Sequence, residues 1–170
     1  MKKILLVIFS ICIVFKTNAQ TYVALMPAFY TGAGTAAARS AFNVEVGKHW
    51  DVFSVGLDIG KINLAKKYGN DTTWFAKVRP NLSVFQQGKF TNTLAIGLGY
   101  VFGAKQNILT EFTSGIEYTP NSTYSYNLYF GTYYFSGVTS ASSQNFLGLS
   151  AMYFFKPSKK KGLLNGVIKQ

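Results

Sequence analysis

Residues 52–61 read VFSVGLDIGK, and residues 93–102 read TLAIGLGYVF. In both stretches every second residue is large and apolar, whereas most of the residues between them are small or polar. A period of two places these two kinds of residue on opposite faces of a β-strand. Both stretches therefore predict a long strand with one apolar face and one face of small or polar side chains.

The same alternation continues on both sides of these stretches, and helical spacing does not compete with it over any long window. Eight strands are predicted, at residues 21–30, 40–48, 52–61, 73–85, 93–102, 108–118, 124–135 and 146–155. Most of them reach the length of about 9–11 residues that a tilted strand needs to cross a bilayer, whereas strands in soluble proteins are usually about 5–6 residues long. The predicted fold class is all-β, an antiparallel up-and-down transmembrane β-barrel of eight strands.

Six ionisable residues occupy the small, polar face of these strands: Glu45, Asp58, Lys77, Arg79, Glu111 and Glu117. A soluble, lipocalin-like barrel would point the charges outward and fill its interior with the large apolar residues. That interior would be overpacked, because eight strands enclose little space. Turning the apolar face toward lipid and the polar face toward the lumen resolves the conflict. We therefore expect the six charged residues to form a polar network in the lumen, with Asp58 and Lys77 meeting and Arg79 close to them.

The connections fit a barrel whose N-terminus starts on the periplasmic side. Short periplasmic turns are expected at residues 48–51, 86–89 and 120–123, and longer external loops at residues 31–39, 62–72 and 136–144. The connection at residues 103–106 is short and departs from this asymmetry. Aromatic residues near the strand ends predict the interfacial girdles of a membrane barrel; they are Tyr30, Trp50, Trp74, Tyr100, Tyr118, Tyr124 and Tyr153.

The first nineteen residues have the features of a secretory signal peptide. Residues 1–3 are Met-Lys-Lys, residues 4–15 are mostly apolar, and Thr17-Asn18-Ala19 provides small residues before a cleavage site at Gln20. A transmembrane helix is the alternative, but the apolar run is shorter than the roughly 20 residues that a helical span needs. Cys12 is the only cysteine and would leave with the signal; Ile11 before it argues against lipoprotein processing. The expected organisation is residues 1–19 as signal peptide, 20–155 as barrel and 156–170 as a basic periplasmic tail.

The chain is basic, with a formal net charge of +11, and its charges are dispersed except in the Lys66-Lys67 pair and the Lys159-Lys160-Lys161 run of the tail. For an exported chain this balance favours contact with lipid phosphates over nucleic acid. The tail either contacts phosphate headgroups or an acidic periplasmic partner, or is a solvated chain end. The predicted partners are outer-membrane lipids, with no nucleic acid.

Taken together, the predicted mature chain to Phe155 resembles the small eight-stranded outer-membrane barrels of the OmpA-domain and OmpX type. The Thr17-Asn18-Ala19-Gln20 junction is similar to those of Bacteroidota outer-membrane β-barrel proteins. The last strand, with Gly148, Ala151, Tyr153 and Phe155, resembles the signal read by the barrel-assembly machinery, although here the chain continues beyond it. The resemblance implies the outer membrane of a Gram-negative bacterium, reached through a cleaved signal peptide, with the assembly machinery as a partner during insertion.

The sequence offers no catalytic constellation. His49 is the only histidine and is expected in the turn at residues 48–51, where Asp51 is near but no serine partner is available. With one histidine and no cysteine in the mature chain, zinc lacks its favoured ligands, and no cofactor is expected. We therefore predict a non-enzymatic barrel with a structural or surface-interaction role and a lumen plugged by polar side chains. A narrow porin or transporter for small or hydrophobic solutes is the alternative, and a lipid-modifying barrel enzyme is a third class.

Overall fold

The computed structural model describes residues 19–31, 38–63, 72–102, 107–136 and 142–155. These residues form eight β-strands: β1 Gln20–Thr31, β2 Ala38–Trp50, β3 Phe53–Asn63, β4 Thr72–Gln87, β5 Phe90–Val101, β6 Asn107–Tyr118, β7 Tyr124–Ser136 and β8 Ser142–Phe154. Each strand pairs antiparallel with the next, and β8 pairs with β1, which closes the sheet into a barrel. The predicted all-β barrel of eight antiparallel strands is confirmed.

Within the described residues no helix is both long enough and apolar enough to span a bilayer.

The alternation in sequence becomes an alternation of burial along each strand. In β5 the exposed residues Leu94, Ile96 and Leu98 alternate with the buried Thr93, Ala95 and Gly97. The pattern recurs in the other strands, so large apolar side chains cover the outside of the barrel at mid-height; examples are Leu25, Phe42, Leu57, Val78, Phe112, Leu128, Phe130 and Leu149, each about half exposed. The small and polar residues face inward, as the period-two pattern predicts.

Aromatic rings lie near both ends of the outer surface. At the end of the barrel that carries the short connections, Phe90 packs against Tyr118 and Tyr124 against Tyr153. At the opposite end Tyr100 packs edge-on against Phe102, and the Lys61 ammonium lies 4.7 Å from the centre of the Trp74 ring. The predicted girdle residues Trp74, Tyr100, Tyr118, Tyr124 and Tyr153 thus fall into two bands, while the Tyr30 side chain is outside the described residues.

Three short connections define one end of the barrel, which we call the turn end; the opposite end is the loop end. They are residues 51–52, 88–89 and 119–123. Gly88 has a φ of 60°, a left-handed conformation that glycine adopts without strain. The Asn121 side-chain oxygen accepts hydrogen bonds from the backbone amides of Thr123 and Tyr124. The longer predicted loops fall largely outside the described residues, as do the predicted signal peptide up to residue 18 and the tail at residues 156–170.

The structure differs from the sequence-based interpretation at His49. This residue belongs to β2, where it pairs with Gln20 of β1 and Ser54 of β3, and the turn consists only of Asp51 and Val52. Its ring packs edge-on against Phe154 with the ring centres 5.5 Å apart. The strand extends further than expected because the ladder with β1 and β3 continues through Lys48 and His49 to the last residues before the turn.

Candidate functional site in the lumen

All six predicted lumen residues face the interior of the barrel. Their exposed fractions run from 0% for Asp58 to 9% for Glu117. Five of them lie in one network at mid-height, and Glu117 lies apart from it near the turn end. Charges removed from water to this extent destabilise a fold unless they are paired and hydrogen-bonded, so the partners of each group decide what the site does.

Lys77 on β4 joins two acids. Its ammonium lies 2.9 Å from Oδ2 of Asp58 on β3, the residue directly opposite it in the ladder. It also forms an ion pair with Oε2 of Glu111 on β6. The Asn43 amide donates to both Asp58 oxygens, each at 2.7 Å. Lys77 therefore holds three strands together through groups that are almost fully buried.

Arg79 joins two acids on opposite sides of the barrel. Its Nε donates to Oε1 of Glu111 on β6 at 2.9 Å, and its terminal nitrogen lies 3.3 Å from Oε2 of Glu45 on β2. Strands β2 and β6 are four positions apart in a closed sheet of eight, so this bridge crosses the lumen. The Tyr22 hydroxyl donates to Glu45, and the Thr113 hydroxyl donates to Glu111. We call Asn43, Glu45, Asp58, Lys77, Arg79 and Glu111 the ion-pair network.

Glycines on the inner face give the network its space. A Cβ atom at Gly99 would lie 2.6 Å from the Cα of Lys77 and closer still to the Ala76 carbonyl oxygen. A Cβ at Gly97 would lie 2.9 Å from the Cβ of Glu111. The β4 backbone therefore requires a glycine at position 99, and the Glu111 and Lys77 side chains require one at position 97.

Replacing Gly99 with alanine tests this steric requirement. The added methyl group meets backbone atoms that cannot move aside, so we expect the free energy of unfolding to fall by about 1–3 kcal/mol. Urea unfolding in lipid vesicles, followed by tryptophan fluorescence, measures the change. The control is Ser114→Ala at an outward position lining a surface groove, which we expect to leave stability within about 0.5 kcal/mol; an equal loss in both variants would contradict the packing argument.

An aromatic layer lies inside the barrel on the loop side of the ion-pair network, and the sequence interpretation missed it. It comprises Ile62, Phe75, Leu109, Tyr133 and Phe146, which are all at most 4% exposed. The rings of Tyr133 and Phe146 stack with their centres 4.2 Å apart. The Lys77 ammonium lies 4.9 Å from the centres of both the Phe75 and Tyr133 rings, a cation–π distance. The layer thus covers the network and also contributes to binding its lysine.

The sequence could not identify this layer because its members interrupt the contrast between the two faces. Tyr133 lies in the run Tyr133-Tyr134-Phe135, and Phe146 is followed by Leu147. Period-two reasoning identifies a face only when neighbouring residues differ in size or polarity. Where both neighbours are large and apolar, the register with the adjacent strands decides, and that information comes only from the structure.

The charged groups of the ion-pair network bind one another. The acids of the ion-pair network are already engaged by Lys77, Arg79, Asn43, Tyr22 and Thr113. Among the described residues, no group of three or more histidines, cysteines, aspartates or glutamates is placed to hold a metal ion. His49 lies at the turn end beside an aromatic ring, away from the network. The charged groups cross-link the wall of the barrel and occupy its centre.

Comparison with known proteins identifies the fold. No protein-family model and no curated protein matches the chain. Among solved structures, the barrel is similar to Neisserial surface protein A, with a TM-score of 0.59 and 10% sequence identity over 82% of this chain and 98% of that one. It is also similar to the N-terminal β-barrel domain of Pseudomonas aeruginosa OprF, with a TM-score of 0.57 and 10% identity over 80% of this chain and 98% of that one. Both are small outer-membrane barrels of eight strands, so the predicted likeness to the OmpA and OmpX type is confirmed for the fold.

Proposed function

We propose that this protein is an outer-membrane β-barrel with a non-enzymatic, structural or surface-interaction role, and that its lumen is plugged by its own polar side chains. The observation that carries the proposal is the opposite character of the two faces of one sheet. Large apolar residues cover the outside at mid-height, while the ion-pair network is buried at the centre.

The outer surface supports a membrane location. Leucines, isoleucines, valines and phenylalanines surround the barrel, and rings such as Trp74 and Tyr118 lie toward its ends. Soluble monomers rarely expose a continuous apolar patch larger than a few hundred Å². A lipid-facing apolar band between two aromatic girdles is the pattern of transmembrane barrels. The similar solved barrels from Neisseria and Pseudomonas support the same location.

The interior supports a plugged lumen. A barrel of eight strands is just wide enough for side chains to fill it, and here the Glu45–Arg79–Glu111 bridge crosses from one wall to the other. The aromatic layer lies above this bridge. An ion that moved along the axis would have to break ion pairs between groups that are nearly inaccessible to water, which opposes steady conduction.

Gel migration and bilayer recordings on one membrane-extracted sample test the proposal. A folded barrel should migrate differently before and after boiling, because it resists detergent unfolding until heated. The same sample should insert into planar bilayers without a sustained ion current. A freely water-soluble monomer in the absence of detergent would overturn the membrane location, and steady channels in the wild-type protein would favour the narrow porin or transporter instead.

Replacing Asp58 with asparagine separates a plug from a conducting path. The variant removes one of the two charges that compensate Lys77, and we expect a loss of about 1.5–3 kcal/mol in the free energy of unfolding without the appearance of channels. Urea unfolding in vesicles and bilayer conductance are measured side by side. Asp51→Asn, in the exposed turn after β2, is the matched control and should change neither. If the Asp58→Asn variant forms conducting channels while its free energy of unfolding is unchanged, the proposal of a plugged lumen is wrong.

A further inference from the structure

The half of the lumen between the ion-pair network and the turn end has a different chemistry from the loop half. Many of its inward side chains are hydroxyls, amides and one acid; they are Ser54, Asn81, Thr91, Thr93, Glu117, Ser125, Asn127 and Ser150. Where β8 meets β1, Tyr22, Met152 and Phe154 also face inward. From the turn end, β5 presents Thr91, Thr93, Ala95 and Gly97 inward, so none of its side chains there is longer than threonine. We call this region the polar half of the lumen.

The acid of the polar half has no cationic partner among the described residues. The ion pairs of the described residues lie in the ion-pair network, and none of them includes Glu117. One Glu117 oxygen accepts from the Ser125 hydroxyl at 2.6 Å and the Thr119 hydroxyl at 3.1 Å, both uncharged donors. The carboxylate is 9% exposed, so water screens its charge only partly.

Two buried amide oxygens in the same region have no hydrogen-bond donor. They are Oδ1 of Asn81 and Oδ1 of Asn127. The Asn127 amide nitrogen donates to Oγ1 of Thr93 at 3.3 Å, which fixes the direction of its oxygen. That oxygen lies 2.5 Å from the position that a Gly115 Cβ would take, so the missing side chain of Gly115 is what leaves it room. A buried amide oxygen without a donor destabilises the fold by about 1–3 kcal/mol unless a ligand supplies positive charge or a donor.

We propose that the polar half of the lumen binds a monovalent cation, of the size and charge of sodium, which enters from the turn end. Glu117 supplies the negative charge, and Asn127 with the neighbouring hydroxyls supplies neutral oxygen ligands. One carboxylate balances one charge, whereas divalent sites usually combine several carboxylates. The ion cannot come from the loop end, because the ion-pair network and the aromatic layer lie in between. Binding at this site does not require ions to pass through the barrel, so it is compatible with a plugged lumen. The site goes beyond the proposed function.

Sodium-23 relaxation tests the proposal on the full-length mature protein in detergent micelles, with empty micelles as the blank. We expect the protein to increase the sodium transverse relaxation rate above the blank in a saturable way. Glu117→Gln should return the rate to the blank, and Asn127→Ala should weaken sodium binding about fivefold, the effect of one lost ligand. Asp51→Asn, which removes an exposed acid at the same end, is the control and should retain the full effect.

Each remaining outcome decides against the site. A sodium relaxation rate for the wild-type protein equal to that of empty micelles would overturn the proposed site. A Glu117→Gln variant that still increases the sodium relaxation rate would overturn it as well. Displacement of sodium by micromolar calcium would overturn the monovalent assignment. Heat-dependent gel migration checks that each variant is folded, and if Glu117→Gln does not fold, the wild-type saturation curve and the Asn127→Ala affinity still decide the question.

Discussion

Replacing Glu111 with leucine should lower the free energy of unfolding by about 3–5 kcal/mol, the cost of breaking a buried ion pair from one side. Glu111 contacts both cations of the ion-pair network, since Oε1 accepts from Arg79 and Oε2 pairs with Lys77. Without Glu111, Lys77 retains its ion pair with Asp58, and Arg79 retains its ion pair with Glu45. Each cation loses one of its two acidic partners in a region that is nearly inaccessible to water. The bridge from β2 to β6 is also lost.

Urea unfolding of vesicle-inserted protein measures this loss, with heat-dependent gel migration as a second readout. Glu117→Leu is the matched control, because it makes the same change on the same strand outside the ion-pair network. Among the described residues Glu117 has no ion pair, and one of its oxygens accepts from two hydroxyls. In sodium-free buffer, where the proposed cation is absent, the control should therefore lose about 1–2 kcal/mol at most. Equal losses in the two variants would show that the network contributes nothing beyond the removal of one buried carboxylate.

The strands were predictable because their two faces differ strongly in side-chain size and polarity. All eight predicted segments correspond to observed strands, and the seventh begins at Tyr124 in both descriptions. The ends were less predictable: β8 begins at Ser142 instead of residue 146, and β5 at Phe90 instead of residue 93. Residues 142–145 read Ser-Ser-Gln-Asn, and such polar residues at a strand end carry no period-two signal although they continue the ladder.

The lumen was predictable only where residues are neighbours in the ladder. Asp58 and Lys77 lie directly opposite each other on consecutive strands, so their distances from the connecting loop indicated that they meet. The Arg79 contacts with Glu45 and Glu111 cross the barrel, and their geometry depends on the stagger of all eight strands. Tyr22, which donates to Glu45, was missed for a different reason: it lies on the neighbouring strand β1, but it is opposite Gly47 and only diagonal to Glu45. A pattern within one strand gives the face of a residue but not its partners across the axis.

The two faces of the sheet constrain each other. In water, the buried charges of the ion-pair network would cost free energy that a large apolar core usually offsets, yet most of the large apolar residues in the described strands point outward. The hydrocarbon of a bilayer, as in the proposed function, would accept those residues. The most direct test of the fold's environment is therefore a charge placed on the outer face and not in the lumen.

Leu128→Arg places that charge at mid-height. Leu128 is 50% exposed and lies near the middle of β7, between Ile116 of β6 and Leu149 of β8. In a bilayer we expect the substitution to lower the free energy of unfolding by about 2–4 kcal/mol, because the guanidinium would sit near the hydrocarbon midplane. In water the same exposed position would tolerate arginine within about 0.5 kcal/mol. Urea unfolding in vesicles measures the difference.

Val52→Arg is the depth control for this substitution. Val52 is 59% exposed, slightly more than Leu128, but it lies in the turn after β2, at the end of the barrel. A membrane-embedded barrel predicts a loss there of only about 0–1 kcal/mol, because the arginine reaches headgroups and water. The membrane location therefore predicts different losses at two exposed sites, which exposure alone would not. Similar small losses at both positions would mean that the apolar belt does not face hydrocarbon, and the membrane location would fall with it.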